Sequence, residues 1–558
     1  MAAVEDPPPR DDEFIEGTVD FKGCLVKKSN SGKWRSALFI IGVEMAERFA
    51  YYGISANLIS YLTGPLGQST AKAAENVNAW SGAAMLLPLL GAFVADSYLG
   101  RYRAIIIASL LYILGLGLLT LSAALPSFKS SDCEKVAGAT PCSPPKLQMI
   151  LFFGSLYLVA LAQGGHKPCV QAFGADQFDG NDPKESKAKS SFFNWWYFGV
   201  CLAVTVTLVV LTYIQDNLSW GIGFGIPCVL MAIALIIFSL GTVTYRFAVN
   251  DGKQSPFMRI SRVFVNAAKN WRTNSSTLHN DQGSQQFKFL NKALVTPNAS
   301  KEEKSSCSLN DVEDAKALFR LVPIWISCLV YGIVYAQSST FFTKQGVTMN
   351  RSISSTFKVP PASLLAFIST TIVVFIPIYD RIIVPIARAI TRKPSGITML
   401  QRIGTGLFIS ILSMSTAALV EMKRLETARN HGLIDKPKET VPMSVAWLIP
   451  QYLLLGVSES LTLVGLQEFF YDQMARELRS TGLALFLSIF GIGSFLNTFL
   501  ISVIDKNTSR DGHESWFSNN LNKAHLDYFY WLLAGLSVLA LIAYLYFAKC
   551  YIYYRCKN

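Results

Sequence analysis

The sequence predicts an all-α membrane protein, a bundle of 12 transmembrane helices in two six-helix halves. Three observations predict it. The 558 residues are 51% apolar and 12% aromatic but only 16% charged, where a soluble domain carries about 25% charged residues. Apolar runs of about 20 residues, the length that crosses a hydrocarbon core about 30 Å thick, recur along the chain. One long polar stretch, 246–313, separates the first six runs from the last six. The net charge of +12 lies mostly in the loops. It follows membrane topology, and nucleic acid is not an expected partner; the lipid bilayer is.

Taken in order, residues 1–35 open Met1-Ala2-Ala3-Val4-Glu5-Asp6-Pro7-Pro8-Pro9 and contain no apolar core. They read as a disordered cytosolic arm, and the first membrane helix is expected to be its own insertion signal. Residues 36–245 form the first six-helix bundle, with spans near 37–62, 76–99, 104–125, 148–173, 191–213 and 220–245. Residues 246–313 read as a cytosolic linker, in which Phe257 to Trp271 has the pattern of a short amphipathic helix on the membrane surface. Residues 314–552 form the second bundle, with spans near 315–337, 362–388, 398–420, 444–471, 481–504 and 527–550, and 553–558 are a cytosolic tail.

Lys and Arg in the loops set the orientation, with both termini cytosolic. The loop after the ninth span breaks the rule, with Lys423, Arg424, Arg429, Lys436 and Lys438 on the outer side. Ten cysteines show no metal-ligand spacing. Cys133 and Cys142 share one outer loop and are a candidate disulfide.

The first span carries three formal charges, in Glu44-Met45-Ala46-Glu47-Arg48-Phe49-Ala50-Tyr51-Tyr52-Gly53. They fall roughly 12–18 Å past Ser36, near mid-membrane. A charge there costs at least about 2.5–3.5 kcal/mol and marks a functional site by default. Glu44, Glu47 and Arg48 stand at i, i+3 and i+4 on one helix face. One guanidinium cannot neutralise two carboxylates, so one of them is a candidate to take and release a proton. The same spacing also fits a structural ion cluster.

The second span ends Ala95-Asp96-Ser97-Tyr98-Leu99-Gly100-Arg101. Asp96 and Arg101 are a candidate gating latch, and Asp380-Arg381 holds the matching place after the eighth span. The fourth span holds Gly164-Gly165-His166-Lys167-Pro168-Cys169. A lysine in an apolar helix needs a partner, and Glu44 or Glu47 is the expected one for Lys167. His166 reads as a packed, hydrogen-bonded histidine, with a proton relay as the alternative. Glu459, in Gly456-Val457-Ser458-Glu459-Ser460, lies roughly 22 Å past Ser444, again near mid-membrane. Glu468 is a weaker candidate. Tyr335 and Gln337 close the seventh span and could line a site, or be interfacial residues.

P-loop, nucleophile-elbow and dinucleotide motifs are missing from the sequence. The chain is therefore expected not to be an enzyme and to need no cofactor or metal. Its energy source is expected to be an ion gradient, and buried carboxylates point to protons.

These motifs resemble the plant nitrate/peptide transporter family, the plant branch of the proton-dependent oligopeptide transporters in the major facilitator superfamily. Glu44-x-x-Glu47-Arg48-Phe49-x-Tyr51-Tyr52-Gly53, Gly91 to Arg101 and Gly164-Gly165-x-Lys167-Pro168-Cys169 carry the resemblance. Phe173-Gly174-Ala175-Asp176-Gln177-Phe178, Phe193-Asn194-Trp195-Trp196, Leu400-Gln401-Arg402-Ile403-Gly404 and Pro450-Gln451-Tyr452 extend it. The resemblance implies alternating access and proton symport. Glu44, Glu47 and Arg48 would be the proton-coupling triad, Lys167 their partner and Glu459 the acid of the second half. Arg48, Tyr51, Tyr52, Lys167, Tyr335, Gln337 and Glu459 would contact substrate.

Two positions depart from the family pattern. Tyr335 stands where a well-studied member has a nitrate-binding histidine, and Ala104 where that member has a phosphorylated threonine. The expected function is proton symport of a small solute, nitrate or a di- or tripeptide, across the plasma or vacuolar membrane. The alternatives are a carrier of plant hormones or secondary metabolites with the same fold, and a solute receptor that does not transport.

Overall fold

Backbone polar groups in hydrocarbon must be satisfied within their own segment, so apolar runs of this length become helices. The structure, a computed structural model, describes residues 14–28, 31–124, 146–179, 182–248, 256–271, 287–294, 308–353, 358–392, 397–474, 479–509 and 514–551.

Two strands come first, β1 (Phe14–Val19) and β2 (Leu25–Lys27). Helices α1 (Lys33–Ser55), α2 (Leu58–Thr63), α3 (Thr70–Val94), α4 (Arg101–Ala124) and α5 (Lys146–Ala175) follow. Next are α6 (Pro183–Val206), α7 (Thr212–Asn217), α8 (Trp220–Leu240), strand β3 (Phe247–Ala248) and α9 (Pro256–Lys269). The second part of the chain has α10 (Leu309–Tyr335), α11 (Phe341–Val347), β4 (Met349–Asn350), α12 (Ala366–Ile378), α13 (Val384–Thr391) and α14 (Met399–Asn430). It closes with β5 (Val441–Ser444), α15 (Ile449–Asp472), α16 (Arg479–Thr508) and α17 (Leu526–Cys550).

Among the described residues, 11 helical segments are long and apolar enough to cross a membrane. Helix α1, at 23 residues, matches them in length, and the three charges inside its apolar stretch, Glu44, Glu47 and Arg48, set it apart. Helix starts follow local chemistry. Ser308 and Asp311 form a capping box at α10, Thr398 and Gln401 another at α14, and Asp182 caps α6 ahead of Pro183. Single π-helical turns interrupt the second and eighth spans at Ala95–Leu99 and Tyr379–Ile383, the kind of irregularity common at functional sites.

The chain divides into two compact units, Met1–Ala56 with Leu87–Lys253 and Asn57–Leu86 with Gln254–Asn558. In the first, glycine sets helix spacing. A Cβ on Gly91 of α3 would sit on the Gly164 carbonyl of α5, and one on Gly164 would come within 2.9 Å of Leu87. In the second, Gly332 of α10 and Gly493 of α16 make the same kind of approach, with 2.6 Å from a Gly493 Cβ to the Gly332 Cα. Aliphatic and aromatic side chains on α10, α14, α15 and α16 fill the core of this unit, among them Leu321, Tyr331, Leu407, Leu466 and Phe490.

Three expectations need correction. Residues 14–27 are not disordered: β1 pairs antiparallel with β2 and with β3, Thr18 opposite Ala248. The fold is held by buried Ile15 and Val26 and by Asp20, whose carboxylate accepts from the Lys22 and Cys24 amides across the turn. Residues 1–13 lie outside the described residues.

The 246–313 linker is structured in part. Helix α9 forms as expected, and its Val263 and Ala267 pack against protein, namely Leu290, Ala293, Val312 and Ala315. Finally, α14 runs on to Asn430, well past 420. Its added turns carry Arg424, fully buried against Glu421 (Nη2–Oε1 2.6 Å) and donating to Asn522 Oδ1 at 2.8 Å. Gln345 donates to the same carboxylate at 2.8 Å. Arg424 therefore counts as an internal ion-pair partner and not as a loop charge, which removes part of the anomaly after the ninth span. Cys133 and Cys142 lie outside the described residues.

Candidate functional site

Helical periodicity puts Glu44, Glu47 and Arg48 on one face of α1, and all three are buried, at 1%, 0% and 7% exposure. The Arg48 Nε lies 2.8 Å from Glu44 Oε1 and 2.9 Å from Glu47 Oε2. Only the first contact has hydrogen-bond geometry; Glu44 Oε2 and Glu47 Oε2 have no hydrogen-bond partner. One guanidinium nitrogen is thus shared by two carboxylates out of water, where each uncompensated charge is costly.

Other helices of the same unit complete the cluster. Tyr112, buried on α4, donates its hydroxyl to Glu47 Oε1 at 3.1 Å. His166 on α5 is fully buried, and neither of its ring nitrogens has a hydrogen-bond partner. Glu44, Glu47 and His166 each present one atom within 4.8 Å of the others. His166 is therefore packed, as expected, but not hydrogen-bonded. Lys167 lies in the electrostatic field of Arg48, Glu47 and Glu44. Tyr51, also buried, stacks edge-on against Tyr52 one position along, with ring centroids 5.4 Å apart.

The three acidic and imidazole atoms have the spacing of a metal-ligand set. Arg48 already lies against both carboxylates, however, and a divalent ion added there would face a fixed positive charge. The arrangement suits a proton, which neutralises one carboxylate and leaves the other to Arg48.

Asp96 and Arg101 flank the turn at Gly100, whose φ of +75° suits glycine. Arg101 Nη1 pairs with Asp176 Oδ2 on the segment after α5. The Asp96 side chain lies outside the described residues, as does that of Asp380, while Arg381 is exposed.

In the second unit, Glu459 is buried at 6% exposure within α15, and no cation among the described residues reaches ion-pair distance. Tyr331 lies in its field, and the neighbouring Ser458 donates to the Gly406 carbonyl at 2.7 Å. Tyr335 packs edge-on against Phe490, centroids 5.1 Å apart. Gln337 is fully buried and donates to the Ile333 carbonyl and to Asn497 Oδ1. Its amide is thereby engaged in α10–α16 packing. Glu468 faces Arg402 at 3.5 Å, and Arg402 also lies over the Tyr379 ring.

Tyr112 is the site residue that sequence reasoning missed. Its one sequence signal is a polar aromatic inside the otherwise apolar third span.

Residues 102–517 match the family model PTR2, described as the POT family. The chain is 63% identical over 544 residues to Protein NRT1/ PTR FAMILY 5.10 of Arabidopsis thaliana, covering 96% of each. It is 56% identical over 551 residues to Protein NRT1/ PTR FAMILY 5.14 of the same plant, covering 98% of each. Its fold is that of an auto-inhibited POT family peptide transporter (TM-score 0.72, 20% identity, 94% of this chain and 98% of that one). It also matches the POT family transporter PepTSo (TM-score 0.69, 21% identity, 93% and 99%). A buried charged triad in a membrane helix, a second buried acid, and these relatives along almost the whole length place the chain in the POT family of transporters, among its NRT1/PTR members.

Proposed function

We propose that this chain is a proton-coupled symporter that moves a small anionic or zwitterionic solute, nitrate or a di- or tripeptide, by alternating access. The observation that carries the reading is the buried trio on α1, in which a single Arg48 nitrogen serves both Glu44 and Glu47. A proton arriving at either carboxylate removes one negative charge and frees part of the Arg48 and Lys167 cationic field for a substrate anion or carboxylate. In the first unit Tyr51 and Tyr52 are the proposed hydroxyl contacts to the solute; in the second, Tyr335 and Gln337 are the candidates, and Glu459 gives that unit an acid of its own. Asp96 with Arg101 and Asp380 with Arg381 are the proposed gating groups. The chain works in the plasma or vacuolar membrane with both termini in the cytosol. The proton gradient is its energy source, and its partners are the solute, protons and lipid.

The test is current in voltage-clamped oocytes at an acidic bath pH, offering nitrate, then a mixed dipeptide pool, then neither. Inward current with one of the two supports the reading and names the solute. Surface-expressed protein that carries no current and no labelled solute under either condition contradicts it.

A further inference from the structure

His166 stands beside the triad with both ring nitrogens buried and without a hydrogen-bond partner; Glu44 Oε2 is in the same condition, and Glu47 Oε2 accepts no hydrogen bond and has only its charge contact with Arg48 Nε. Each such atom taken out of water without a partner costs on the order of 1–3 kcal/mol. The three residues nevertheless lie together, one carboxylate oxygen of each acid and one ring nitrogen within 4.8 Å of one another. What the group lacks is a proton. Two carboxylate oxygens only accept, and a neutral imidazole offers one acceptor nitrogen and one N–H. A proton added to either carboxylate makes an O–H for which the ring nitrogen is an acceptor on another helix, alongside the oxygens of the partner carboxylate on α1; Arg48 only donates, and the Tyr112 hydroxyl gives its proton to Glu47 Oε1.

We propose that His166 is the second seat of the coupling proton, taking it by hydrogen bond and transfer from Glu44 or Glu47. This rests on the proton-coupling reading above. In the transfer, the O–H bond of the carboxylic acid breaks, an N–H bond forms on the ring, and the imidazolium pairs with the carboxylate left behind. The proton thus crosses from α1 to α5, the helix that also carries Lys167. There it repels the adjacent Lys167 and restores the carboxylate to Arg48. Proton position is in this way tied to which cation is free for substrate.

The charged and titratable groups facing the ring are Glu44, Glu47 and Arg48 from α1, Tyr112 from α4 and Lys167 from its own helix. Helix α3 packs on the same stretch of α5 through Leu87 and Gly91, which do not titrate.

The experiment uses the full chain in lipid nanodiscs, labelled with nitrogen-15 in its five histidines. The His166 signals are identified by their loss in His166→Gln, or in His166→Asn where the glutamine variant does not fold; the measurement itself is on the wild type. The infrared carboxylic-acid band of the pair is assigned with Glu44→Gln and Glu47→Gln. The expected result is that ring signals and carboxyl band change over one pH interval. At least one of the two glutamine variants should move the His166 midpoint by about one pH unit or more. Ring signals that stay constant while the carboxyl band titrates overturn this inference alone. A wild type with no titrating Glu44 or Glu47 band overturns the proton-coupling reading and this inference with it.

Discussion

Residue by residue, the buried charges fall into two kinds. Arg424 and Glu421 have fixed partners in a closed network with Gln345, Asn522 and the Leu521 carbonyl. Breaking such a pair costs about 3–5 kcal/mol, whereas replacing both ions with apolar groups is often neutral. Glu421→Ala should therefore lower stability by about 3–5 kcal/mol, and Glu421→Leu with Arg424→Met should recover most of it. Thermal unfolding in detergent is the check. Equal losses in the single and double variants would contradict the account.

Arg246 and Glu185 are a second fixed pair, at 2.7 Å, with Arg246 1% and Glu185 4% exposed. Burial alone pushes the Glu185 carboxyl up. Hydrogen bonds from Arg246 and the Asp179 amide and the charges of Arg246 and Lys33 outweigh it, and the group is held below its ordinary 4.5. A depressed carboxyl contributes stability that is whole above 4.5 and is lost as pH falls through the folded value. Arg246→Met should remove that contribution. The fall in melting temperature as pH drops from about 5 to about 3 should then be shallower in the variant than in the wild type. Parallel curves would refute it. The α1 triad is the other kind: two acids share one base, and the imbalance is what a proton can relieve.

At the scale of elements, contact geometry explains both what the sequence showed and what it hid. The spans were legible because hydropathy is a local signal, and the Glu44–Arg48 face because helical spacing is local too. Tyr112 and His166 meet that face from two other helices, and no spacing in one helix reports such a meeting. The β1–β3 pairing joins residues more than 200 positions apart, with Thr18 opposite Ala248, so the arm looked disordered. A span that ends near 420 leaves Arg424 in a loop, because its partner Glu421, one turn away, also lies past the apolar run.

Helix approach was legible through its glycines. Gly91→Ala would put a methyl group onto the Gly164 carbonyl, and overpacking of this kind costs about 1–3 kcal/mol. The variant should melt earlier than the wild type in fluorescence-detected size exclusion, with Gly154→Ala, where a Cβ meets nothing within 4 Å, as the unaffected control. Equal melting of Gly91→Ala and wild type would show that α3 and α5 are not limited by this contact.

For the whole molecule, each unit carries a buried acid outside the fixed pairs Glu185–Arg246 and Glu421–Arg424: the triad with Tyr112 and His166 in the first and Glu459 in the second. The fold and the family were legible from motif and span count. Solute choice was not, because it depends on side chains such as Tyr335 and Gln337 whose role is set by packing. Gln337 proves engaged with Asn497, while Tyr335 rests against Phe490.

The central claim is that protons act through the α1 carboxylates. Its most direct test is uptake of labelled nitrate and of a labelled dipeptide into proteoliposomes, with and without an imposed inward proton gradient. The account predicts gradient-driven accumulation of at least one of the two by the wild type, and its loss in both Glu44→Gln and Glu47→Gln. Accumulation that is equally gradient-driven in either variant and in the wild type would contradict it.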